Sequence, residues 1–179
     1  MPSPRSLKEI QKLTGRVNSL ERFISKAGDR CLPFFRCLCK GEKGQWTDEC
    51  ETAFTELKKY LTIAPMLVAP KTREVLSLYL RASHAAVSAV LVNDDKGIHC
   101  SIFYISHILL NTETRYPMLE KLALALLVAT RKLCPYFQSH TIQVVTNQPL
   151  LRVLHIPEVS RRLLKWSIEL GKFDIKYTP

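Results

Sequence analysis

The sequence predicts an α/β (α+β) fold: a five-stranded sheet whose first three strands are antiparallel, flanked by helices and preceded by a small helical segment. Three observations predict it. Apolar residues recur every three or four positions through most of residues 1–65, whereas from residue 66 the period changes to two and the segments become β-branched. A strongly apolar helix pattern then separates the third strand from the fourth, and a further helical stretch precedes the fifth. With 179 residues, 46% hydrophobic and 23% charged, the chain can hold one domain with a sizeable core plus a small appendage.

Taken in order, Ser6-Leu7-Lys8-Glu9 reads as a capping box. Leu7, Ile10, Leu13, Val17, Leu20, Phe23 and Ile24 then recur at helical spacing, predicting one amphipathic helix that runs to Gly28. Thr47 is placed to cap a second helix with Ala53, Phe54, Leu57, Tyr60 and Leu61 on one face and a stop before Pro65. Ala64 to Pro70 is a Pro-bounded linker. Val75 to Leu80, Val87 to Val92 and Ile98 to Ile105 are the first three strands, with Asp94-Asp95-Lys96-Gly97 a hairpin turn between the second and third. Pro117, at a first helical position, opens a helix from Met118 to about Leu133 that is apolar on most sides and so must be buried. Thr141 to Thr146 is the fourth strand. Ser160 caps a last helix that Gly171 ends, and Phe173, Ile175 and Tyr177 alternate with Asp174 and Lys176 as the fifth strand.

Twenty-six Lys and Arg against 16 Asp and Glu give a net charge of +10, which favours a polyanionic partner. The excess is concentrated in residues 1–44, with ten basic against four acidic side chains, so this segment is either a phosphate-facing surface or a solvated helix face. The longest apolar run, Leu122 to Ala129, is far shorter than the roughly 20 residues that cross a bilayer, and no membrane association is expected. The first residues carry no secretory signal pattern, which leads to the expectation of an intracellular protein, in a cytoplasmic particle or the nucleus. Cysteines at 31, 37, 39, 50, 100 and 134 are then expected as reduced thiols. Four of them fall within 20 residues, but none is in Cys-x-x-Cys spacing, so zinc is not the expected reading; Cys134 reads as a small buried residue.

The element order, together with Thr114-Arg115-Tyr116-Pro117-x-x-Glu120-Lys121 and Val144-Val145-Thr146-Asn147-Gln148-Pro149-Leu150, resembles the RNase H domain of a gypsy-class LTR retrotransposon polyprotein. Upstream, Lys8-Glu9-Ile10-Gln11-Lys12-Leu13-Thr14-Gly15, Arg22-Phe23-Ile24, Leu32-Pro33-Phe34 and Gln45-Trp46-Thr47-Asp48-Glu49-Cys50-x-x-Ala53-Phe54-x-x-Leu57-Lys58 resemble the thumb-like end of a reverse transcriptase and its connector. The resemblance implies a helical thumb/connector-like segment at 1–65 and an RNase H-like domain at 66–179 that lacks its C-terminal end, built on a five-stranded mixed sheet. Tyr79-Leu80-x-x-Ser83 and Val87-Ser88-Ala89-Val90-Leu91 are most similar to plant-type elements, in which this domain precedes a second RNase H and is often degenerate. The polymerase palm motifs, with their paired aspartates, do not occur in the sequence, so the fragment alone is not expected to polymerise.

Active members of the family hydrolyse the RNA of RNA:DNA hybrids with two Mg2+ ions, hard cations that require clustered carboxylates. The family places Asp on the first strand, Glu at the start of the central helix and Asp after the fourth strand. The matching residues here are Arg81, Glu120 and Asn147, which changes the formal charge from minus three to zero. A unit positive charge about 4 Å from a divalent ion, at an effective dielectric near 20, is repelled by on the order of 8 kcal/mol. No shift of register restores the acids, because none occurs between Arg81 and Val92 or between Thr130 and Pro157. Asp94 and Asp95 belong to the hairpin turn, and Asp174 alternates away from Phe173 and Ile175.

These residues lead to a non-catalytic domain that binds or positions an RNA:DNA hybrid, or another nucleic acid, within a Pol polyprotein, with no metal or other cofactor of its own. Two alternatives stay open: a metal-dependent RNase H endonuclease, and a decayed element fragment without function. Glu120, the one family carboxylate kept, is expected to sit in the first helical turn, where the macrodipole favours an acid, and to bridge to Arg81. Arg115, Lys121, Arg161, Arg162 and Lys165 are the candidates for contact with backbone phosphates, with surface solvation as the alternative. His107 and His140 read as polar strand-end residues, and Trp46 and Trp166 as core residues.

Overall fold

The computed structural model describes residues 2–38, 45–63, 66–95, 97–155 and 161–179, the side chains of Asp95 and His155 excepted. Helices come first, α1 (Leu7–Ser19), α2 (Ala27–Arg30), α3 (Leu32–Leu38) and α4 (Asp48–Thr62); strands β1 (Leu76–Ala82), β2 (Ala86–Asp95) and β3 (Ile98–Ile108) follow. The chain continues through α5 (Met118–Lys132), α6 (Cys134–Ser139), β4 (Ile142–Val145), α7 (Leu150–His155), α8 (Arg161–Leu170) and β5 (Ile175–Thr178). Ser160, Cys39, Lys96 and the Ala64–Pro65 part of the expected linker lie outside the described residues.

The helical segment has its own core, in which Ile10, Leu13, Val17, Phe34, Phe54 and Leu57 are buried together. Ser6 caps α1 by accepting from the Glu9 amide at 3.4 Å, but the Glu9 carboxylate takes the Arg5 amide at 2.6 Å, so the capping box is only half formed. The expected single helix to Gly28 is broken. α1 stops at Ser19, a 3-10 turn spans Glu21–Phe23, and Lys26 adopts a left-handed φ of 55° before α2. The apolar stripe continues through the break, because Ile24 and Ala27 are buried, but a bent backbone delivers it. α3 was not legible from the periodicity; it inserts Phe34 and Cys37 into the core.

Phe34 stacks on Trp46 at 5.5 Å, and both rings meet the Phe54 edge. Thr47 caps α4 as expected, accepting from the Cys50 amide at 3.3 Å. The α4 face buries Phe54 and Leu57, whereas Leu61 is exposed. The Trp46 indole donates to Glu51 at 2.6 Å, the Ser3 hydroxyl donates to the same carboxylate at 2.8 Å, and these bonds hold the Glu51 carboxyl below the usual carboxylate range. Cys31, Cys37 and Cys50 are buried, with Cys37 Sγ 3.1 Å from Cys50 Sγ, and Cys134 is only half-buried rather than buried as expected.

The sheet runs β3-β2-β1-β4-β5. β1/β2 and β2/β3 are antiparallel, joined by short connections, whereas β4 pairs parallel to β1, and β5 parallel to β4, after helical crossovers. The five-stranded mixed sheet expected from the resemblance is therefore present. A bulge follows Leu91↔Phe103, where the next pair is Val92↔Ser101 and Ile102 is the extra residue. α5 is the central helix, with Ala123, Leu126 and Ala129 fully buried against β1 and β2. Pro117 sits at its N-cap, one position earlier than expected.

The helical segment docks on the sheet through the chain between α1 and α3. The Gly28 amide donates to Ser106 Oγ at 2.8 Å, and a Cβ on Gly28 would lie 2.7 Å from that oxygen and 3.0 Å from Ala86 Cβ. Only a glycine lets α2 approach β3 this closely. Glu21 accepts from the Ser106 amide at 2.8 Å and from Lys132 Nζ at 2.7 Å, joining the connector, β3 and the end of α5. Asp29 accepts from Ser83 Oγ at 2.6 Å.

Candidate functional site

The parallel β1/β4 ladder sets the level of the site. Its last pair is Tyr79↔Val145, so Arg81 on β1 and Asn147, just past the end of β4, each follow that pair by two residues. Asn147 is exposed in a bend after β4, and Glu120 lies in the first turn of α5. The fold therefore brings the three positions to the carboxyl end of the parallel strands, where an α/β sheet places its ligands.

The side chains at these positions do not join. Leu76 and Leu78 are buried, with Leu80 and Ala82 packed against the same core, so strand alternation turns Arg81 to the opposite face. The expected Arg81–Glu120 bridge is absent; Glu120 Oε2 is held by Arg162 Nη2 from α8. The Arg162 guanidinium lies 3.9 Å from the Tyr116 ring centroid and 5.6 Å from that of Trp166. Glu120 thus clamps the start of α5 to α8, with its charge already met by a cation.

The donors present do not fit a pair of divalent ions. Arg81 is cationic, Asn147 offers a neutral amide, and Glu120 is committed to Arg162. Among the described residues no group of three or more His, Cys, Asp or Glu converges. Asp94 closes the hairpin by accepting from the Gly97 amide at 2.6 Å, and Asp174 accepts from the Thr141 hydroxyl.

The five candidate phosphate contacts separate. Arg115, Arg161 and Lys165 are exposed. Lys121 is buried, 6% exposed, with its ammonium 3.5 Å from the Ser83 carbonyl, because the α5 helix turns this position toward the sheet; it is not a surface cation. Arg162 is occupied by Glu120 and the two rings. His107 lies within β3 beside Glu113 at 3.2 Å, and His140 Nδ1 is 2.9 Å from the Glu74 carbonyl. Trp166 is buried and Trp46 packs on the helical core.

A feature not anticipated from sequence lies on the connector face. Arg81 and Lys26 line a cleft of about 180 Å³ whose floor and walls include Tyr79, Ser88, Val90 and Tyr104. The strand register explains the grouping, since Tyr79↔Val90 and Val90↔Tyr104 form one cross-strand row and Arg81↔Ser88 the next. The two-residue alternation of β1 was the available signal for Arg81 and Tyr79. Lys26 gave none, because its left-handed backbone interrupts an otherwise regular helical pattern.

A family model described as an RNase H-like domain found in reverse transcriptase matches residues 46–144. Over 97% of its length the chain is 30% identical to the retrovirus-related Pol polyprotein from transposon opus of Drosophila melanogaster. It spans only 19% of that polyprotein and 16% of the one from transposon 297. Among solved structures, the foamy viral protease-reverse transcriptase in complex with RNA/DNA hybrid superimposes with a TM-score of 0.81 at 26% identity, over 98% of this chain and 25% of that one. The foamy viral protease-reverse transcriptase dRH in complex with dsDNA gives 0.82 at 23% identity, over 99% and 32%. No helix among the described residues is long and apolar enough to cross a membrane.

Proposed function

The chain belongs to the family of RNase H-like domains found in reverse transcriptase, and from that premise we propose that it is a non-catalytic nucleic-acid-positioning part of a retrotransposon Pol polyprotein. The observation that carries the proposal is the retained fold beside an altered site: Arg81 and Asn147 stand where two metal-binding acids belong, and the remaining Glu120 is spent on Arg162. Two-metal hydrolysis requires a concentrated negative charge that this set does not supply.

Binding of an RNA:DNA hybrid is supported by the net charge of +10 and by the similarity to a reverse transcriptase whose structure holds an RNA/DNA hybrid. The finer lineage, a gypsy-class element of plant type, is part of the same reading and rests on Tyr79-Leu80-x-x-Ser83 and Val87-Ser88-Ala89-Val90-Leu91. The rest of the polyprotein is the partner expected to supply the palm.

A fluorescence titration of a labelled RNA:DNA hybrid at two salt concentrations tests the reading. A positioning domain binds with an affinity that falls steeply as salt rises, through release of counterions from each neutralised phosphate. No binding at the lower salt would refute it.

A further inference from the structure

We infer that Arg81 and Lys26 together take a backbone phosphate of the bound nucleic acid in the cleft between the connector and the sheet, on the face opposite Glu120. The inference rests on the proposed hybrid-binding role and locates one of its contacts.

Arg81 and Lys26 line the same cleft and meet no carboxylate among the described residues. The acids nearest in the connector are committed elsewhere, Glu21 to Lys132 and the Ser106 amide, and Asp29 to the Ser83 hydroxyl. The neighbouring connector cations are also engaged: the Arg22 guanidinium lies over the Phe23 and Phe103 rings, and Arg30 over Tyr60 with its Nε on the Ser25 carbonyl. The Arg81 and Lys26 side chains, by contrast, have no hydrogen bond, ion pair or ring contact among the described residues. Two uncompensated cations in one cleft attract an anion from solution.

The backbone at Lys26 is a second observation. Its φ of 55° is a left-handed conformation that a residue with a Cβ rarely adopts, and it is held in place by the Gly28–Ser106 and Asp29–Ser83 bonds that follow. Those bonds fix the connector above the Arg81↔Ser88 row. A phosphodiester is the fitting ligand class, because guanidinium and ammonium groups both donate to phosphate oxygens and the Tyr79 and Tyr104 rings offer apolar walls to the attached sugar or base.

The test is hybrid binding by the full chain and by Arg81→Gln, Lys26→Gln and, as a control on a distant exposed cation, Lys172→Gln, each over a salt series. Circular dichroism melts establish that each variant is folded. The inference expects Arg81→Gln and Lys26→Gln each to weaken binding about tenfold and to lower the salt slope by about 1, with Lys172→Gln unchanged. If the native chain binds but both cleft variants behave like Lys172→Gln, the phosphate site is overturned and the positioning role stands. If the native chain does not bind the hybrid, the positioning role fails and the site with it.

Discussion

Replacing Glu120 with Gln separates a structural carboxylate from a catalytic one. The Glu120 and Arg162 side chains are 19% and 37% exposed, so their pair is neither a surface bridge nor a fully buried one. Exposed pairs contribute up to about 1 kcal/mol and hydrogen bonds to charged groups about 1.5–3 kcal/mol, which brackets the expected loss at about 1–2 kcal/mol. Among the described residues the buried Arg162 Nε has no hydrogen-bond partner, so the guanidinium has little freedom to find a replacement acceptor. For a chain of this length that loss lowers Tm by about 2–8 °C. A thermal and urea melt of Glu120→Gln, Arg162→Met and the double variant measures the pair directly. We expect the double variant to be more stable than the sum of the single effects predicts, by about 1 kcal/mol. Single effects that add to within about 0.5 kcal/mol, or a Glu120→Gln chain as stable as the native one, would refute the clamp.

Two further predictions follow from the packing. Gly28→Ala adds a helix-favouring residue worth up to about 1 kcal/mol but forces a Cβ to within 3.0 Å of Ala86 Cβ, so a net destabilisation of about 1–3 kcal/mol is expected; a urea midpoint at or above the native one would contradict it. Stability also falls at alkaline pH. Burial pushes the Cys31 thiol from its ordinary 9.0 to about 12 and the Tyr177 phenol from 10.0 to about 12. Below pH 9 both groups are neutral in folded and unfolded chains, and their contribution is complete. Between 9 and 12 the unfolded chain ionises while the folded one does not, so the urea midpoint declines across this window and declines less in Cys31→Ala. A midpoint that stays flat over that range would contradict it.

The strands were legible because their side chains alternate between a packed face and an open one, and α5 because an all-round apolar helix has to be covered. The break after Ser19 was not. Leu20, Phe23 and Ile24 continue a helical stripe, and nothing in their spacing records that the backbone turns to bring Gly28 onto Ser106. Pro33 and the aromatic pair beside it obscured α3, whose Phe34 is fixed by a ring stack with Trp46 across the segment. At the site, the loss of two acids was plain from the residues themselves. The pairing of Glu120 was not, since Arg162 is 42 residues away and meets it only through the packing of α8 on α5. Alternation along β1 already excluded an Arg81–Glu120 bridge, because Arg81 is out of phase with the residues that face α5.

The most direct test of the central claim is to incubate the purified chain with a labelled RNA:DNA hybrid and Mg2+ or Mn2+ and to measure binding and cleavage on the same samples. The account predicts salt-sensitive binding with the RNA left intact. Metal-dependent cleavage of the RNA that a folded Glu120→Gln variant abolishes would contradict it.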